Sequence, residues 1–239
     1  MQDDLLDSYI HTFFGHGDLA APIWYVGMEE GGGTDRETLA RELTHWDAAG
    51  QPVARPRTED PPEGESQWFR AHRPRIQPTW GKLIRATLVA LGQPADTEDV
   101  RRYQVERLTR PGAEMALLEL MPLRSRNVRG WPYAELSDLD YLRSRKLYTE
   151  KIAKVREARL RDLIAEHRPK AVAFFGEAYA DRWVRIARDD LAWTEKAFGH
   201  AARGDGTDYF RVHHPTAHGS TNARFEALGE AMREGMGKG

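Results

Sequence analysis

Apolar residues fall into two kinds of run along this chain. Four short, nearly continuous runs with a β-branched and aromatic bias lie at 22–27, 116–121, 171–176 and 209–213. Each ends in glycine or meets a proline or histidine, the pattern of a strand buried on both faces. Between them the apolar positions recur at helical spacing: Leu5, Leu6, Ile10 and Phe13 over 3–15, Leu39, Leu43 and Trp46 after a cap at Thr34 or Asp35, and Leu83, Ile84, Leu88 and Leu91 over 79–91 with Gly92 as the stop. Further helices are predicted at about 147–167, ending before Pro169, at 177–186 and at 222–232. Strands alternating with helices predict βαβ units, and so a three-layer α/β/α fold on a four-stranded parallel sheet.

The connections carry their own signals. Gly31, Gly32 and Gly33 form a permissive loop, and six prolines among charges mark 50–78 as an irregular insertion. Residues 93–113 are polar and show no clear period. No repeat appears, and 239 residues suit a single domain, 1–239, with that insertion.

Composition narrows the chemistry. Thirty-five basic against 37 acidic residues give a net charge of -2, so polyanion binding must come from local patches. The absence of cysteine removes disulfides, thiolate-bound zinc, iron–sulfur clusters and thiol nucleophiles. Met1 to Asp4 is acidic and leads into no apolar signal segment, and no apolar run approaches membrane-spanning length. The expectation is a cytoplasmic monomer with neither membrane partner nor cofactor.

In a parallel sheet, ligands bind beyond the carboxyl ends of the strands. Those ends carry Gly27-Met28-Glu29-Glu30-Gly31, Glu119 with the loop Arg124 to Trp131, Gly176-Glu177, and His214-Pro215-Thr216. The triple glycine lacks the Lys-Ser/Thr of a P-loop.

This order of elements resembles the uracil-DNA glycosylase superfamily over roughly residues 20–233. Ile23 to Gly31 is similar to its first motif, with Glu30 in place of the usual proline. Val212 to Thr216 is similar to its His-Pro-Ser motif, with threonine for serine. Arg168 to Ala178 is similar to its proline, strand, glycine and small-residue helix start. The resemblance implies cleavage of the N-glycosidic bond of a flipped-out base. It places His214 as donor to the leaving base and Glu29 as the group orienting water. Met28, Glu119 and Trp80 would bind the base; Arg124, Arg126, Asn127, Thr216 and Ser220 would hold phosphate. The family's base-reading asparagine is matched by Glu119. An ionised carboxylate only accepts hydrogen bonds, so it suits two adjacent donors, as on guanine, better than plain uracil. The iron–sulfur branches of the family need cysteines that this chain lacks.

Plainer readings stand beside these. His214 can be a loop residue, Glu29 and Glu30 a solvated pair, and Glu119 the partner of an arginine such as Arg124. The arginine loop and Arg70, Arg73 and Arg75 can be solvated, and Trp80 can be core. Two other functions suit the same residues: a non-catalytic nucleic-acid or nucleotide-binding module, and a hydrolase holding Mg²⁺ or Mn²⁺ through Glu29, Glu30, Glu119 and His214.

Overall fold

The computed structural model describes residues 3–32, 34–56, 66–70, 72–125 and 130–237. Eight strands form one sheet: β1 (Gly15–His16), β2 (Ile23–Gly31), β3 (Ala54–Arg55), β4 (Met115–Ser125), β5 (Ala171–Phe175), β6 (Thr194–Lys196), β7 (Gly199–Arg203) and β8 (Asp208–Val212). Their order is β3-β1-β4-β2-β5-β8-β7-β6. The central four, β4-β2-β5-β8, run parallel and contain the four apolar runs.

The sheet is therefore wider than the four strands expected. Antiparallel β1 and then β3 extend it beyond β4, while the β6–β7 hairpin extends it beyond β8. These additions are two to five residues long and mostly half-buried or exposed, so they carry no apolar period. Long-range backbone pairing creates β1 and β3, with Gly15 and His16 against Leu118 and Leu117, whereas β6 and β7 fold back onto β8 as local hairpins. At Gly15 a Cβ would press on the backbone of β4, and only glycine allows that approach at its φ of +139°. Part of the proline-rich insertion thus joins the sheet through β3; residues 57–65 and 71 lie outside the described residues.

Helices cover both faces. One face packs against α1 (Asp3–Thr12) and α2 (Arg36–Ala48), with α7 (Arg145–His167) and α8 (Ala180–Ala187) beside them. The other packs against α4 (Pro78–Ala90), α5 (Thr97–Glu106) and α9 (Asn222–Met236). Short α3 (Ser66–Phe69) and α6 (Tyr133–Leu136) complete the described helices. Local chemistry sets the ends. Asp35 accepts from the Thr38 amide at the start of α2, Arg168 ends α7 in the left-handed region, and Pro169 follows it. Helix α5 falls in the stretch without apparent period; an Asp96–Asp99 capping box starts it, and only Val100, Tyr103 and Gln104 are buried. Along β2, Ile23 and Tyr25 enter the α4/α9 layer while Trp24 and Val26 enter the α1/α7 layer, all fully buried. No helix among the described residues is long and apolar enough to cross a membrane.

Candidate active site

A small, partly open cleft lies at the carboxyl edge of the central strands. Aromatic side chains from three directions line it: Phe13 and Phe14 before β1, Trp80 near the start of α4, and Phe175 at the end of β5. Glu119 and Glu30 supply carboxyl groups, and His16 lines it from β1.

Trp80 is positioned by a relay of amide groups. Gln77 caps α4 by accepting from the Trp80 N–H at 2.7 Å. Its own N–H donates to Gln104 Oε1 at 2.9 Å, and the fully buried Gln104 amide donates to the carbonyls of Trp68 and Arg75. One side chain of α5 thereby sets the chain leading into the cleft.

Glu119 faces Gly27 across the β2–β4 ladder. Its Oε2 is enclosed and has no hydrogen-bond partner among the described residues. Burial, then Glu30 and Glu29, hold its carboxyl well above the ordinary range. Such a group costs stability once pH exceeds the unfolded pKa, because the unfolded chain ionises and the folded one resists. Glu119→Gln, a permanently neutral isostere, is therefore expected to melt higher than the parent at pH 8 and nearly with it at pH 4; equal shifts at both pH values would contradict the neutral form.

Gly27 leaves the space this arrangement uses. A Cβ there would fall on Glu119 Oε2 and lie 2.5 Å from Phe175 Cζ. Gly27→Ala is expected to cost about 1–3 kcal/mol by overpacking and to displace both cleft residues, as denaturant unfolding and ligand titration would reveal.

The carboxylates of β2 part company. Glu29 turns to Arg145, whose Nη1 donates to its two oxygens at 2.9 and 2.7 Å. Arg145 also donates to Ser125 and lies over the Trp131 ring. Burial raises the Glu29 pKa despite this arginine. Glu29 does not line the cleft; Glu30 does, while pairing with Arg124 at 3.0 Å. Arg124 reaches Glu42 as well, at 3.5 Å. Met28 packs against the α1/α7 layer and does not line the cleft, because strand alternation turns it away from the face that carries Gly27.

His214 stands in the turn after β8, with its ring edge-on to Phe175 at 5.6 Å. The Thr216 N–H donates to Nδ1 at 3.3 Å, and the Thr216 hydroxyl lies 2.9 Å from the same atom. An accepting Nδ1 assigns the proton to Nε2. Partial burial and the Lys82 ammonium hold the His214 pKa below its ordinary value, so the ring is a neutral donor at neutral pH. Lys82 of α4 donates to the carbonyls of Pro215, at 2.6 Å, and Ser220, tying both ends of this turn to the helix. The Ser220 hydroxyl donates to the His214 carbonyl at 2.8 Å, so Thr216 and Ser220 organise the turn itself.

Phe175 adjoins both Glu119 and His214, but His214 itself is exposed and does not line the cleft. Glu29 belongs to a separate ion pair, so the two predicted catalytic side chains do not converge there. Arg126 and Asn127 lie outside the described residues. Among the described residues no three His, Asp or Glu side chains are grouped to hold a metal. Sequence reasoning missed Lys82, Phe175, Arg145 and Arg156. Phe175 was the most findable, sitting directly before the glycine that ends a strand. Arg156 of α7 is fully buried and donates to the carbonyls of Ile10, Phe13, Glu119 and Leu120, bracing β4 at the cleft. No protein-family model matches this chain, and no curated protein matches it either.

Proposed function

We propose that this chain is a base-excising hydrolase of the uracil-DNA glycosylase type, acting on a nucleobase turned out of DNA into the Trp80–Phe175 cleft. The observation that carries this reading is the Glu119 carboxyl, enclosed and without a partner, in an aromatic-lined cleft whose Phe175 wall also touches His214. A planar heterocycle stacks on such rings, and its edge meets the carboxyl. The order of the four central strands and the His214-Pro215-Thr216 turn support the same reading.

In the proposed reaction the C1′–N bond breaks with both electrons going to the base. The neutral His214 Nε2–H donates to the oxygen that gains this charge. Water adds to C1′ and gives up a proton, with a carboxylate facing the cationic sugar. Glu30 has the cleft position for that carboxylate, and Glu29 serves if substrate draws it from Arg145. Arg124 stands beside Glu30 for a flanking phosphate.

The Glu29–Arg145 pair also favours a second reading, a module that holds the base without cleaving the bond. A single-turnover assay on oligonucleotides bearing different base lesions, scored for abasic sites, separates the two. Release of at least one base supports the hydrolase; salt-dependent binding without any abasic product supports the module.

A further inference from the structure

Resting on the reading of the cleft as a base pocket, we propose that Glu119 recognises its ligand as a neutral acid, pairing with a ring edge that presents one hydrogen-bond donor beside one acceptor. A carboxylic acid offers one O–H and one carbonyl oxygen, whereas an ionised carboxylate offers acceptors alone. The two forms select different edges: the acid fits a lactam, in which N–H adjoins C=O, and the carboxylate fits two adjacent N–H groups.

The surroundings of Glu119 select the acid. Oε2 is enclosed where Gly27 and the Phe175 ring meet, without a hydrogen-bond partner among the described residues. The arginines of this edge are directed elsewhere: Arg145 grips Glu29 and Arg124 grips Glu30. Facing groups are the carboxylates of Glu29 and Glu30 from β2, His16 from β1, and His214 beyond Phe175. Arg156 approaches β4 too, but it meets the backbone carbonyl of Glu119. A negative charge at Glu119 would therefore be desolvated beside two further acids, while a neutral carboxyl needs only the two hydrogen bonds that a lactam supplies.

The test is calorimetric titration of the full chain at pH 7 with hypoxanthine as the lactam probe and benzamidinium as the two-donor probe. The parent is expected to favour hypoxanthine at least tenfold. Glu119→Gln, which keeps one donor and one acceptor, is expected to retain that preference, and Glu119→Leu to lose at least tenfold in hypoxanthine affinity. Preference for benzamidinium that disappears in Glu119→Gln would overturn the neutral acid. Binding of neither probe would overturn the base pocket along with it. Hypoxanthine binding that follows the expected pattern, with no base released from any oligonucleotide, would uphold the role of Glu119 and remove the hydrolytic reading alone.

Discussion

Arg156→Met is expected to destabilise the protein by about 2–4 kcal/mol, because buried carbonyls are left without donors, with a lower midpoint in urea unfolding. No exposed surface accounts for Arg156. Its side chain is fully buried, its guanidinium lies 3.7 Å from the Phe14 ring centre, and its hydrogen-bond partners among the described residues are backbone carbonyls. Ile10 and Phe13 contribute orphan carbonyls from the end of α1, and Glu119 and Leu120 contribute theirs from β4. Burial holds its pKa down to about 10, which keeps it charged at neutral pH. Methionine replaces the aliphatic stem without donors, so several buried acceptors lose charge-assisted hydrogen bonds worth about 1–3 kcal/mol each before relaxation. Lysine retains the charge but cannot fan across four carbonyls, and Arg156→Lys is expected to recover only part of the loss. An Arg156→Met protein unfolding at the parental urea midpoint would show that the carbonyls find other donors.

On the proposed base-excision reading, His214→Ala is expected to slow base release by about 10²–10³-fold, the loss typical of one donor to developing negative charge, while the melting temperature stays near the parental one. Truncation removes the two Thr216 contacts to Nδ1 but leaves the turn held by Lys82 and Ser220 through backbone carbonyls. Neutrality of the ring gives the pH profile a sign. On the acid side activity should decline as protons charge His214, below its ordinary pKa, because burial and Lys82 both oppose the charge, while ionisation of Glu119 sets the alkaline limit. Lys82→Met removes one opposing charge and should move that acid limb to higher pH. A rate unchanged in His214→Ala would take this side chain out of the reaction.

Much of the framework was legible in the chain. The four central strands are buried on both faces, and that condition writes itself as continuous apolar runs at 22–27 and 171–176. Helix α5 was not legible because most of its surface meets water, yet the Asp96–Asp99 spacing was a usable signal. Strands β1 and β3 owe their existence to partners far away in sequence, which no local window contains, while β6 and β7 are short, mostly exposed or half-buried hairpin strands without an apolar alternation to mark them. The candidate site divides along the same line. Glu119 and Trp80 could be placed at the cleft from strand ends and helix starts. That Glu30 and not Glu29 lines the cleft could not, since Glu29 is held by Arg145, 116 residues beyond it. Lys82 appeared only as a charged residue in an amphipathic helix, and its partners are carbonyls more than 130 positions later.

Strand β6 consists of Thr194, Glu195 and Lys196, all exposed, at the outer margin of the sheet beyond β8. Brevity and opposite charges make this margin a poor template for a foreign strand. The hydrophobic β8 lies two strands inward, sealed from intermolecular zippering. Crowded solutions of the folded protein should accordingly resist fibril growth from this flank.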